Sequence, residues 1–322
     1  MSAIVEEVDG QFPSPVNVLI ATYDKFDTLD ALGPLEVFHW AQHEKNNKAD
    51  SKAFNIAICG PESAVISSQG VKIGAQMPYE EAMKNLAEYD VLVIPGGNTE
   101  TILKAKAQPL TLIKAFAELQ KRNPSRERTI YSVCTGSLFL AETGILSGLA
   151  ATTHPDFITK LEILCSNVAQ RDMADRTDVM DHARFVVNNL RFELGENEDE
   201  NPYIMTRKEY KAHQRRKSSG QLPSPLEEGA HGTNMPNGRR ASNARKGSIS
   251  LRMANSRRES VLKRANLRLG GMRVITASGV TSGIDGALYL VGALVSDDAA
   301  EEVAHKICHD WKKGIVVDGT DV

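Results

Sequence analysis

Apolar runs alternate with amphipathic segments along the first half of the chain. VNVLIAT (Val16–Thr22), FNIAICG (Phe54–Gly60), DVLVIPGG (Asp90–Gly97) and TIYSVC (Thr129–Cys134) are short and nearly continuous in apolar character. Strands buried on both faces read this way. Between and after them lie segments with helical spacing: ALGPLEVFHWAQ with Pro34 placed for a first turn, EEAMKNLAEY, LTLIKAFAELQKR, and TGSLFLAETGIL directly after Cys134. Two further strands are expected at Ala183–Asn189 and Met272–Gly279. The apolar helix Gly283–Val295 and the amphipathic DDAAEEVAHKICHDW follow. Strand and helix alternating at short spacing predict an α/β fold with a doubly wound, mostly parallel sheet.

One stretch breaks the pattern. Glu196–Arg268 holds 16 Lys and Arg against 8 Asp and Glu, whereas the rest of the 322-residue chain carries 22 against 33. It is rich in Ser, Asn, Arg, Gly and Pro and poor in aromatics, so it buries too little apolar surface to offset ordering entropy. It reads as a disordered basic insertion (196–268) within a single domain formed by 16–195 plus 270–312. Residues 1–15 and 313–322 read as flexible tails. Ser218, Ser242, Ser248 and Ser260 follow basic residues (RRKSS, RRAS, RKGS, RRES) and suit a basophilic protein kinase. An unmodified basic linker explains the same residues. Nucleic acid is a poorer partner, because no aromatics interleave the charges.

Composition narrows the class. Hydrophobic content of 41% and charge content of 25% are those of a globular protein. No run of 18 apolar residues suggests a membrane span, and the acidic N-terminus lacks the pattern of a secretory signal. Four cysteines in so long a chain suggest a reducing, cytoplasmic setting, with the nucleus as alternative. No CxxC pair or HExxH motif appears, so a structural zinc site is not expected; no cofactor is expected either.

The candidate chemistry centres on Cys134. It follows a buried strand and precedes a helix, a turn that exposes a side chain at the carboxyl edge of the sheet. Free N–H donors and the helix dipole there favour a thiolate. A buried inert cysteine is the competing reading. Gly96 and Gly97, with the amide of Thr135, could form an oxyanion-type hole or simply a tight turn. Asp30 lies in the loop after the first strand, where a carboxyl could pass a proton to a substrate or merely cap a helix. Glu36 is the second carboxyl candidate. His154 in ATTH could pair with the cysteine or serve structure.

Together these residues resemble the ThiJ/PfpI superfamily, whose fold is flavodoxin-like. The motifs Asp30-x-x-Gly33-Pro34-x-Glu36-Val37-Phe38, Val91-x-x-x-Pro95-Gly96-Gly97, Val133-Cys-Thr-Gly-Ser137, Ala151-Thr-Thr-His154 and Thr281-Ser-Gly-Ile-Asp-Gly-Ala-Leu288 occur in the family's order. The pattern is most similar to the isonitrile hydratase branch, with Asp in the first loop and Cys-Thr-Gly at the elbow. That resemblance implies catalytic roles for Cys134, Asp30 and Thr135 and a substrate-side role for Gly283–Ile284. It implies thiolate attack on an isonitrile carbon, a thioimidate, and hydrolysis to an N-substituted formamide. It also implies a homodimer. Thr135 replaces the histidine of protease-type members, and no suitably placed late H-x-E pair appears, so peptidase and glutamine amidotransferase activities are not expected. The alternatives are deglycase or glyoxalase-like chemistry with the same thiolate, and a non-enzymatic stress- or metabolite-sensing module.

Overall fold

The computed structural model describes residues 14–43, 51–188, 204–218 and 268–317. Nine strands form the main sheet. In chain order they are β1 (Val16–Ala21), β2 (Phe54–Gly60), β5 (Met77–Pro78), β6 (Val91–Ile94), β7 (Thr129–Val133), β10 (Phe185–Asn188), β11 (Ile204–Thr206), β12 (Arg273–Ala277) and β13 (Gly314–Val317). A hairpin of β3 (Ala64–Ile66) and β4 (Lys72–Gly74), and the pair β8 (Ala150–Ala151) with β9 (Asp178–Val179), stand apart. The sheet order is β11-β13-β10-β12-β7-β6-β1-β2-β5. Every neighbouring pair is parallel except β10 with β12.

The helices are α1 (Thr28–Trp40), α2 (Tyr79–Lys84), α3 (Glu100–Ala105), α4 (Leu110–Arg122), α5 (Ser137–Glu142), α6 (Ile158–Asp172), α7 (Arg207–Ser218), α8 (Ser282–Leu294) and α9 (Asp297–Lys306). α1, α8 and α9 pack on one another, and α2, α4, α5 and α6 form a second set of contacts. This two-layer cover explains why β6, β7 and β12 are buried at every position. α8 buries residues all around its surface because it lies between neighbouring helices and the sheet. α4 instead buries a stripe of Leu110, Leu112, Ile113, Phe116, Ala117 and Gln120 and leaves the other side wet. No described helix is long and apolar enough to cross a membrane.

Three expectations are corrected. First, α1 begins at Thr28, so Pro34 lies inside it rather than in its first turn. Proline has no N–H, so the Asp30 carbonyl loses its helical donor. Second, β11 and α7 occupy part of the segment read as disordered. Ile204–Thr206 pairs with Gly314–Val316, and α7 opens with a capping box: the Thr206 amide donates to Glu209 Oε2 (2.8 Å), and the Glu209 amide donates to Thr206 Oγ1 (3.3 Å). Arg207 pairs with Asp178, and Tyr210 donates to the Asp181 carbonyl. Composition averaged over the long segment hides a three-residue strand and its cap. Third, Gly314–Val317, assigned to a tail, is a buried strand between β10 and β11. Residues 1–13, 44–50, 189–203, 219–267 and 318–322, including Ser242, Ser248 and Ser260, lie outside the described residues.

Candidate active site

In this sheet β1 runs to β2 on one side, while β6 and β7 lie on the other. Chain order therefore reverses at β1 and β6, where open α/β sheets leave a crevice at the strands' carboxyl ends. Asp30, expected in the loop after β1, lies instead in the first turn of α1; that turn and the segments after β6 and β7 bring Asp30, Gly96–Gly97 and Cys134 into the crevice.

Cys134 sits immediately after β7 with φ +57°, a left-handed conformation that costs a non-glycine residue about 1–2 kcal/mol. Its surroundings hold it there. The Cys134 carbonyl accepts from Thr153 Oγ1 (3.0 Å) and Ser137 Oγ (3.1 Å). A Cβ on Gly136 would lie 2.4 Å from the Ile94 carbonyl oxygen, so only glycine lets the elbow press against β6. The side chain is nearly enclosed, with 8% of the residue exposed.

Asp30 is fully buried beside it. The helix cap is not Asp30 but Asp27, whose Oδ1 accepts from the amides of Leu29 (3.1 Å) and Asp30 (3.4 Å). This leaves the Asp30 carboxyl free for the crevice. Its Oδ2 accepts from the Gly96 amide (3.1 Å), and its Oδ1 is buried without a conventional hydrogen-bond partner. Burial first, and the charge of Asp27 second, raise Asp30 to about 7; the Gly96 amide and the Cys134 thiol pull it back. Burial, then the Asp30 charge, pushes the Cys134 thiol up to about 12, against the Thr135 amide, which favours the thiolate. Burial and the neighbouring carboxyls thus oppose the thiolate that the strand–helix turn favours, and Asp30 and Cys134 titrate as one coupled pair.

The glycine pair does not form a vacant oxyanion hole. The Gly96 amide is committed to Asp30, and the Gly97 amide donates to Thr135 Oγ1 (2.9 Å), which in turn donates to the Gly97 carbonyl (3.0 Å). Gly96 is a close-approach glycine: an added Cβ would meet Thr135 N at 2.7 Å and Asp30 Oδ2 at 2.8 Å. Gly97 has φ +128°, which side chains rarely adopt.

The remaining candidates lie outside this cluster. Glu36 is exposed on α1 and accepts from Trp40 Nε1 (2.7 Å), so it is no alternative to Asp30. His154 caps the turn Pro155–Phe157, with Nδ1 accepting from the Asp156 amide (3.3 Å) and its ring edge-on to Phe157. Among the described residues, Asp30 and not His154 is the titratable group that pairs with Cys134. Gly283 packs on Val133, where a Cβ would come within 2.9 Å of Val133 Cγ1, and its carbonyl accepts from Tyr131 Oη (2.5 Å). Ile284 lies over Gly33 of α1. These two therefore support the strand and helix on which Cys134 and Asp30 stand. Cys59 and Cys165 are buried, and Cys308 is exposed. Asp27, missed in the sequence, carries an N-cap signal three residues before Asp30. Among the described residues, no group of three or more His, Cys, Asp or Glu could hold a metal ion.

The chain is similar to several known proteins. A deglycase from Pyrococcus abyssi is 24% identical over 141 residues, 44% of this chain and 73% of that protein. An isonitrile hydratase from Pseudomonas putida is 34% identical over 90 residues, 28% of this chain and only 35% of the hydratase. The crystal structure of Drosophila melanogaster DJ-1beta superposes with TM-score 0.50 at 13% identity, covering 92% of this chain and all of that one. The DJ-1/PfpI family pattern matches residues 16–188, more than half of the sequence, and the chain belongs to the DJ-1/PfpI family.

Proposed function

We propose that this protein is a cysteine-dependent enzyme that hydrates isonitriles to N-substituted formamides. The observation that carries the reading is the buried Asp30 carboxyl, titrating near 7 against the Cys134 thiol. An isonitrile carbon is a poor electrophile until it gains a proton, so the site must deliver nucleophile and acid together. Sulfur bonds to the terminal carbon while the thiol proton passes through Asp30 to that same carbon, giving the thioimidate R–N=CH–S–Cys134. Water then adds to this carbon, with Asp30 accepting its proton. The imine nitrogen takes that proton from Asp30; the C–S bond then breaks, the proton of the new hydroxyl passes through Asp30 to sulfur, and R–NH–CHO leaves.

Attack on the isonitrile places the developing negative charge on carbon rather than oxygen, which fits a site whose Gly96 and Gly97 amides are already engaged. Deglycase or glyoxalase-like chemistry passes through a hemithioacetal alkoxide and needs such donors free. Thr135 holds the Gly97 loop through both bonds of its hydroxyl and, through its amide, supports the developing thiolate.

Purified protein incubated with cyclohexyl isocyanide should form N-cyclohexylformamide, and Cys134→Ala and Asp30→Asn should each lose at least ~10²-fold in kcat/KM. Turnover of methylglyoxal with an inert isocyanide would replace this reading with the glyoxalase-like one. Inertness toward both, with no effect of Cys134→Ala in cells, would leave the sensing module.

A further inference from the structure

We propose that Gln69, at the tip of the β3–β4 hairpin, is a positioning residue for the Cys134 site, acting through the carboxylate of Asp27. The inference rests on the reading of Cys134 and Asp30 as the working pair.

The hairpin tip is tied to the loop that precedes α1. The Lys25 amide donates to the Ile66 carbonyl (2.8 Å), the Ser68 amide to the Phe26 carbonyl (2.8 Å), and Ser68 Oγ to the Lys25 carbonyl (2.6 Å). Gln69 spans the last gap with both ends of its amide. Nε2 donates to Asp27 Oδ2 (2.5 Å), and Oε1 accepts from the Thr28 amide (3.0 Å) and hydroxyl (2.8 Å). Gln69 is exposed and buries no surface that would otherwise explain this arrangement.

From its other side the same loop is gripped by the turn after β6. The Asp27 amide donates to the Gly96 carbonyl (2.8 Å), the Asn98 amide donates to the Lys25 carbonyl (3.0 Å), and the Gly96 amide reaches Asp30 (3.1 Å). Asp27 thus connects an exposed hairpin to the buried carboxyl by two routes: through its cap on α1, and through Gly96.

Asp27 also acts by charge. The titratable groups facing Asp30 are Asp27 from the cap, Cys134 from the elbow, Tyr23 from the β1 loop and Tyr131 from β7. The two tyrosines are buried and held well above their ordinary range, so they stay neutral. Asp27 is therefore the charge that, after burial, raises Asp30, and it adds to burial and the Asp30 charge in raising Cys134. Where Gln69 holds that charge decides how strongly it acts.

The test is the pH profile of Cys134 alkylation by iodoacetamide, read by mass spectrometry on the full-length protein from pH 5 to 9. The wild type should show its first rise near 7, where the pair loses its first proton and the freed Asp30 carboxylate can take the proton from the attacking thiol. Asp27→Asn keeps the cap acceptor but removes the charge, and should move this rise to lower pH by at least ~0.5 unit. Gln69→Ala, which trims an exposed side chain and spares the hairpin's backbone bonds, should move it the same way by less. The double variant should shift no further than Asp27→Asn, since Gln69 acts through Asp27. A rise that stays at the wild-type pH in Gln69→Ala, or shifts that sum in the double variant, overturns the proposal. Alkylation needs no substrate, so an inert isocyanide would sink the proposed reaction and leave this result standing.

Discussion

Two buried aspartates occupy the same helical layer and meet opposite fates. Asp30 on α1 and Asp285 on α8 are both fully enclosed, and the two helices pack on each other. Asp285 is surrounded by donors. Its Oδ2 accepts from Arg184 Nε (2.8 Å) and Nη2, and its Oδ1 accepts from the Lys312 amide (2.9 Å) and pairs with His309 Nε2 (2.8 Å). Even its backbone carbonyl accepts from Trp311 Nε1 (3.2 Å). Asp30 has one backbone amide, one oxygen without a partner, and a thiol for a neighbour. A buried carboxylate with its donors complete is a structural tie. One left short of donors keeps a proton within reach of neutral pH, which is what proton transfer needs.

The comparison can be broken at either aspartate. Asp285→Ala should destabilise the protein by about 2–4 kcal/mol in urea unfolding, because it removes the shared partner of Arg184, His309 and the Lys312 amide. Activity per folded molecule should survive, and amides of Ile315–Val317 should exchange faster. A variant as stable as the wild type would erase the distinction.

Asp30 should behave in the opposite sense. Its value of about 7 lies above that of an unfolded carboxyl, so between about pH 4 and 7 the native state holds a proton that the unfolded chain has released. Unfolding free energy should therefore fall as pH rises through that window, by an amount on the order of a few kcal/mol. Asp30→Asn should remove this component of the slope. An unchanged pH dependence of stability in the variant would show that Asp30 is not a neutral, strained carboxyl. The smallest effect belongs to Glu36→Gln. It should leave kcat/KM within about twofold, because an exposed side chain bonded to Trp40 has no route to the thiol.

The sequence revealed the strands that carry the site because both faces of each are covered, so their apolar runs are unbroken. It revealed Cys134 because a strand meets a helix there without a loop. It could not separate Asp30 from an N-cap, since Asp27 and Asp30 are both well placed for one; the choice depends on which carboxyl the turn after β6 reaches. The thiol's burial was likewise invisible, because the local dipole argument favours the thiolate while the enclosing residues arrive from distant segments. β13 was missed because four residues carry too little periodicity, and β11 because charge surrounds it. Gln69 reads as an ordinary turn residue until the hairpin is seen to lie on the Asp27 loop.

The place of β12 beside β7 has a consequence for how the chain is made. β7 emerges from the ribosome with β6 already available on one side, but its other neighbour follows only about 140 residues later. At ordinary synthesis rates that interval is on the order of ten seconds. Until β12 arrives, the strand ending in Cys134 is an open edge whose amides and carbonyls can pair with another nascent chain. Cys134 has no completed enclosure during that time, so its thiol stays open to oxidants and alkylating agents until β12 closes the sheet.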